Sequence, residues 1–256
     1  MSEQGKVRRR MILDQARDNG GVQVTELAAG MNVAAETVRR DLRTLEEEGL
    51  LRRTHGGAHP LENARVEGSS GTKSGPMTPQ DALMAEAVQD LVAWCESLFI
   101  DDGPEALAVA ERLAASRRPL SVVTGALAVA TLMAKRENIT VIVLGGRVRP
   151  TARAIAGAQA VSMMSDFKVD AALMSSGGIS LEGGLTVPDP ETAELKRVAL
   201  RSARQRIFVG EHSKFGVISL CRYGGVEDLD AIVTDAGISG ALAGRYRAVG
   251  VRLVRA

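Results

Sequence analysis

Residues 34–49 read Ala34-Ala35-Glu36-Thr37-Val38-Arg39-Arg40-Asp41-Leu42-Arg43-Thr44-Leu45-Glu46-Glu47-Glu48-Gly49, and the chain continues Leu50-Leu51-Arg52-Arg53-Thr54-His55-Gly56-Gly57-Ala58. At 100° per residue, Val38, Leu42 and Leu45 share a narrow arc, so a helix over 35–48 would turn them into a core. Glu36, Arg40, Arg43 and Glu47 fall on the opposite side, with Thr37 and Arg39 on the flanks. Gly49 supplies a left-handed stop. The run after it, apolar then basic, with a glycine turn and a return, predicts a β-hairpin.

Upstream, Val7, Met11, Ile12 and Leu13 predict the apolar stripe of a helix over 6–18, halted at Asn19-Gly20-Gly21. A short helix over 26–30 follows, with Thr25 placed to cap it, and then a tight turn at Met31-Asn32-Val33. A short helix, a turn, a longer helix and a hairpin make a winged helix-turn-helix. Such a fold lays its second helix in the major groove, where arginine forks match guanine edges and phosphate oxygens. The candidate DNA contacts are Thr25, Glu36, Thr37, Arg39, Arg40 and Arg43 on the helices, and Arg52, Arg53 and His55 on the wing. The plainer alternative for Glu36 and Arg40, four apart, is a surface ion pair. His55 as a lone catalytic histidine has no acidic partner or nucleophile placed by the sequence.

The whole chain is 256 residues, 45% hydrophobic and 25% charged, which suits two globular domains and excludes wholesale disorder. No apolar run approaches the ~20 residues of a membrane span, and the start, Met1-Ser2-Glu3-Gln4-Gly5-Lys6-Val7-Arg8-Arg9-Arg10, does not read as a signal peptide. Cys95 and Cys221 are too few for a disulfide framework and suit a reducing cytoplasm. With His55, His59 and His212 scattered, the sequence predicts no metal site and no cofactor. The net charge of +1 does not mark a nucleic-acid binder in bulk, but Arg8, Arg9 and Arg10, Arg39, Arg40 and Arg43, and Arg52 and Arg53 all fall in the first sixty residues. No aromatic residue lies there, which argues against a single-strand stacking platform.

Residues 61–80 are rich in Gly, Ser, Thr and Pro and read as a linker, dividing a 1–60 DNA-binding domain from an 81–256 domain. In the second domain apolar strand-like runs alternate with helical patterns, which predicts an α/β fold with a largely parallel sheet. Strands at 97–100, 120–124 and 139–144 end in Asp101-Asp102-Gly103, Thr124-Gly125 and Gly145-Gly146-Arg147, and ligands in such sheets sit at strand carboxyl ends.

The ordered string Val24-Thr25-Glu26-Leu27-Ala28, Val33, Glu36-Thr37-Val38-Arg39-Arg40-Asp41-Leu42, Leu45-Glu46, Gly49-Leu50 and Arg53-Thr54-His55-Gly56-Gly57-Ala58 resembles the DeoR family of bacterial transcriptional regulators. The blocks around Asp170, Ser176-Gly177-Gly178-Ile179, Gly184-Leu185-Thr186, Glu194 and Lys196, His212-Ser213-Lys214-Phe215-Gly216 and Asp230-Ala231-Ile232-Val233-Thr234-Asp235 resemble its sensor domain. The resemblance implies a cytoplasmic, metabolite-responsive repressor. It would bind double-stranded operator DNA as a dimer or tetramer and have no membrane partner. It also implies an effector site that holds a sugar phosphate, with Asp101, Asp102, Gly103, Thr124, Gly145, Gly146, Arg147, Gly178, Glu194, Lys196 and Lys214 as its candidates.

Two departures from the family pattern are visible. The recognition helix opens on Ala34 instead of serine. The family's Asp-Ser-Gly-Thr-Thr turn is here Asp101-Asp102-Gly103-Pro104-Glu105, and Gly125-Ala126 stands in place of an Asn-Ser pair. Hydroxyls and one amide are lost and carboxylates are added, so the sequence predicts weakened binding of a phosphate dianion. The competing reading is a sugar-phosphate isomerase-like enzyme with an accessory DNA-binding domain, using Asp101, Glu194 and Lys196 for proton transfer.

Overall fold

The computed structural model describes residues 3–19, 21–47, 50–54, 56–60, 77–149 and 152–256. Its first unit is built around α1 (Glu3–Asn19), β1 (Val22–Gln23), α2 (Val24–Gly30), α3 (Ala35–Glu47), β2 (Leu51–Thr54) and β3 (Gly57–Pro60). On α1 the buried arc is centred on Ile12 and Ala16, with Leu13 beside them. Val7 and Met11, read from the sequence as part of that stripe, stand out in solvent, because they lie about 140° and about 100° from Ile12 on the wheel.

Thr25 does not cap α2. That helix begins earlier, after Gln23, and no side chain caps it. Its first amide, Val24 N, donates to Gly56 O of the wing at 2.8 Å, so a tertiary hydrogen bond satisfies one of the open amides of the helix start. Asn32 takes a left-handed φ of 51° in the turn between α2 and α3. The Ala34 carbonyl starts the α3 ladder by accepting from Thr37 N and Val38 N. The three strands order β1-β3-β2, all antiparallel. Gly57 has to be glycine, since a Cβ there would lie 2.1 Å from Val22 O. His55, Gly49, residues 61–76 of the linker and the side chain of Arg52 lie outside the described residues.

The second unit opens with α4 (Pro79–Leu91), inside the stretch that reads as linker. Its start is a capping box in which the Thr78 hydroxyl accepts from Asp81 N while Asp81 accepts from Thr78 N. A Thr-Pro-x-Asp start has loop-like composition, and the apolar spacing that betrays a helix begins only at Met84.

Then follow β4 (Ser97–Ile100), α5 (Pro104–Ala114), β5 (Leu120–Thr124), α6 (Leu127–Met133), β6 (Ile139–Val143), β7 (Arg147–Arg149), β8 (Ala154–Ala156), α7 (Ala158–Ser165) and β9 (Val169–Met174). The chain ends with β10 (Gly178–Ser180), β11 (Gly184–Val187), α8 (Pro190–Ser202), β12 (Ala203–Val209), β13 (Cys221–Gly224), β14 (Ala231–Thr234), α9 (Gly240–Ala248) and β15 (Arg252–Arg255). Seven of these strands form one parallel sheet in the order β15-β14-β12-β9-β4-β5-β6.

Period-two alternation sends Leu98 and Ile100 to one face, against Met84 and Val88 of α4 and Val109 of α5, and Phe99 to the other. That second face carries α7, α8 and α9, with Phe208, Phe215 and Tyr246 in edge-to-face contact. From β4 the chain runs outward through β5 and β6, then returns to the far side of β4 and runs out through β9, β12, β14 and β15. The order therefore reverses between β4 and β9, and a crevice opens at their carboxyl ends.

Candidate functional site

The first surface of interest is the outer face of α3. Val38, Leu42 and Leu45 are buried, and Arg39, Arg40 and Arg43 are exposed, as the helical wheel requires. Glu36 pairs with Arg39 at 3.3 Å, not with Arg40. No ion pair is recorded for Arg40 or Arg43 among the described residues, so their forks face outward. Arg53 on β2 pairs with Glu46 of α3 at 3.1 Å, which ties the wing to the helix.

The first arginine cluster serves a different purpose. Asp41 is buried on the core side of α3, where Arg8 Nε reaches it at 2.5 Å and Arg9 at 3.4 Å. These guanidiniums lock α1 onto α3. Arg10 reaches Glu211 of the second unit at 3.3 Å.

The second surface is the crevice where the sheet order reverses. It is lined by Asp102, Gly103 and Pro104 after β4, by Ser175, Ser176 and Gly177 after β9, by Arg149 of β7, and by Val187, Pro188, Asp189, Thr192 and Lys196 around the start of α8. Lys214 arrives from the turn after β12. The enclosed part holds about 30 Å³ within a void of about 430 Å³ that opens to solvent.

Lys196 is buried at its centre. Its Nζ donates to Asp101 Oδ2 at 2.5 Å, Asp102 Oδ1 at 2.8 Å and Ser175 O at 3.3 Å. Burial opposes its charge, but the two carboxylates raise its pKa above the ordinary lysine value. Burial likewise pushes Asp101 up to about 7 against the pull of Lys196, whereas the half-buried Asp102 is brought down to about 2 by Lys196. Lys214 Nζ lies 2.6 Å from Glu105 Oε1. Arg149 donates to the Thr192 hydroxyl at 2.5 Å and stands 3.9 Å from Asp189. Tyr223 stacks near Lys196 and donates to Ser175 O at 2.8 Å.

Of the residues read from the sequence, Asp101, Asp102, Gly103, Lys196 and Lys214 come together here, and the others do not. Thr124 is buried in the sheet, donating to Ile100 O and accepting from Ala126 N, so it braces the β5 turn. Gly145 and Gly146 sit at the β6–β7 turn, Arg147 pairs with Glu191 at the surface, and none of the three lines the crevice, which β7 reaches only through Arg149. Gly178 lets β10 approach Val217 O, where a Cβ would lie at 2.2 Å. Glu194 pairs with Arg197 on the outer face of α8. Two residues on a helix are about 200° apart, so Glu194 and Lys196 cannot face one site. The Asp101–Glu194–Lys196 constellation of the isomerase reading therefore does not assemble.

Ser176 stood in a block that resembles the sensor domain, but Ser175, Arg149, Asp189 and Thr192 carried no sequence signal for this pocket beyond Asp189-Pro190, a capped helix start in which Asp189 accepts from Thr192 N at 2.7 Å. Close to the crevice, the His212–Lys214 turn presents His212 between two carboxylates, with Nδ1 2.7 Å from Asp235 and Nε2 3.4 Å from Asp14 of α1. Those hydrogen bonds raise His212 to about 9.

A winged helix with outward arginines, joined to a doubly wound α/β unit with a polar crevice at its reversal point, defines a DNA-binding regulator with a sensor module. Residues 8–64 match the DeoR-like helix-turn-helix domain and residues 79–236 the DeoR C terminal sensor domain. The chain belongs to the DeoR family. It is 32% identical over 229 residues to a Bacillus subtilis (strain 168) protein named as the uncharacterized HTH-type transcriptional regulator FruR, covering 90% of each chain. It is 31% identical over 225 residues to the glycerol-3-phosphate regulon repressor of Escherichia coli (strain K12), covering 88% of each. Among solved structures, ribose 5-phosphate isomerase A from Methanocaldococcus jannaschii aligns with a TM-score of 0.39 at 13% identity, spanning 53% of each chain. Among the described residues no helix is long and apolar enough to cross a membrane.

Proposed function

We propose that this protein is a transcriptional repressor of a metabolic operon, acting as a homo-oligomer whose paired winged helices bind a symmetric operator. The observation that carries the reading is the outer face of α3. Arg39, Arg40 and Arg43 are exposed there, opposite a buried Val38, Leu42 and Leu45, with Arg53 alongside on the wing. Relatives named as repressors and HTH-type regulators support it. In this reading the crevice around Lys196 is the effector site. A ligand there acts by binding two arrangements of the protein with different affinity, one of which holds DNA better.

The test is selection of double-stranded DNA from a random pool by the full-length protein, followed by footprinting of the enriched site. A discrete, two-fold-symmetric footprint lost in Arg40→Ala and retained in a surface control supports the reading. Uniform binding to all sequences, unchanged by Arg39→Ala or Arg40→Ala, overturns it.

A further inference from the structure

The crevice contains three cationic side chains, and each already faces a carboxylate of its own chain. Lys196 has Asp101 and Asp102, Lys214 has Glu105, and Arg149 has Asp189. Three cations against four carboxylates leave no spare positive charge. A phosphate group entering here meets no unneutralised cation and approaches the Asp102 carboxylate directly.

The hydrogen-bonding capacity points the same way. Glu105 is 2% exposed, and its Oε2 has no hydrogen-bond partner among the described residues. It lies behind the crevice wall, 3.6 Å from where a Cβ on Gly103 would stand, and so stays a buried acceptor paired only through Oε1 with Lys214. Pro104, at the first position of α5, offers no amide to an anion. The β4–α5 turn therefore offers an incoming phosphate one amide fewer, and its buried Glu105 holds Lys214 back. The enclosed volume of about 30 Å³ accommodates one water or one hydroxyl group, with wider room only toward solvent.

We infer that this crevice takes an uncharged polyhydroxy ligand, a free sugar or polyol, and that it rejects the phosphate ester of the same compound. The inference rests on reading the crevice as the effector site, and operator binding measured on the same preparations separates failure of one from failure of the other.

The experiment is calorimetry on the full-length protein with matched pairs: glycerol and glycerol 3-phosphate, glucose and glucose 6-phosphate, fructose and fructose 1-phosphate. At least one uncharged member should bind at least tenfold tighter than its ester. Inorganic phosphate serves as a ligand-independent probe. It should bind wild type only weakly and Glu105→Gln at least tenfold tighter, because that change frees Lys214 while preserving side-chain size. Asp102→Asn, which removes one of the two carboxylates on Lys196, should give a smaller gain in the same direction and serves if Glu105→Gln does not fold. Tighter binding of any ester than of its parent, binding of none of the uncharged compounds, or no gain of phosphate affinity in a folded variant overturns the inference.

Discussion

Replacing Lys196 by methionine removes the ammonium and leaves Asp101 buried and Asp102 half-buried without it. At an effective dielectric of ~20, contacts at 2.5 and 2.8 Å are each worth about 6 kcal/mol gross. Desolvating three charges offsets most of that, so the intact cluster is near neutral for stability, while its broken form is not. Losing one partner of a buried cluster costs about 3–5 kcal/mol, and a domain of this size should melt roughly 6–20 °C lower.

The sign of the pH dependence follows. Without Lys196 both carboxyls have folded-state pKa values above their unfolded value of about 4. A carboxyl raised in this way contributes stability below that value and loses it as pH rises through the folded pKa. The gap between wild type and Lys196→Met should therefore be small at pH 4.5 and clearly larger at pH 7.5, measured by urea unfolding followed by circular dichroism. The triple change Asp101→Asn, Asp102→Asn, Lys196→Met should recover at least half the loss. A gap under about 1 kcal/mol at pH 7.5, or an equal gap at both pH values, would refute the reasoning, since the cluster would then be solvated.

Further outcomes are as concrete. Arg39→Ala and Arg40→Ala should each cost about 1–3 kcal/mol on the cognate site and relax its sequence preference, whereas Arg53→Ala should weaken all sequences alike and lower the salt slope by about 1, read by fluorescence anisotropy across a salt series. Leu42→Ala, at a fully buried position of the small first unit, should cost about 2–5 kcal/mol and abolish operator binding through unfolding, visible as loss of helical signal at 222 nm under conditions where the second unit stays folded. His212 is raised to about 9 from 6.5 by Asp14 first and Asp235 next. Its contribution is whole below about pH 6.5 and fades as pH rises through about 9, worth at most roughly 3 kcal/mol. Hydrogen exchange in α1 should rise over that window in wild type and stay flat in Asp14→Asn, and a flat wild-type profile would show that the α1 contact is idle.

The recognition surface was legible because helical periodicity is local. Val38, Leu42 and Leu45 against Arg39, Arg40 and Arg43 can be sorted from thirteen consecutive residues, and burial follows. The alternation of helices and strands after residue 80 was legible for the same reason, as was the crevice's dependence on strand ends. Partners distant in the chain were not. Arg8 and Arg9 looked like part of a basic surface until Asp41, more than thirty residues away, proved to be their counter-charge. Thr25 looked like a cap until the helix proved to begin one residue before it, at Val24, whose amide donates to Gly56 O of the wing.

The crevice divides along the same line. The sequence by itself determined that Asp101, Asp102, Lys196 and Lys214 were charged and that Gly103 followed a strand end, and its resemblance to the family marked two carboxylates where hydroxyls are usual. Only the tertiary structure decided that Glu105 would neutralise Lys214, that Arg149 and Thr192 would join, and that Glu194, Thr124, Gly145, Gly146, Arg147 and Gly178 would not. The physical reason is that periodicity assigns each side chain a face within its own element. Which strand ends meet depends on the order β15-β14-β12-β9-β4-β5-β6, and that order is set by long-range hydrogen bonding and burial that no local window contains.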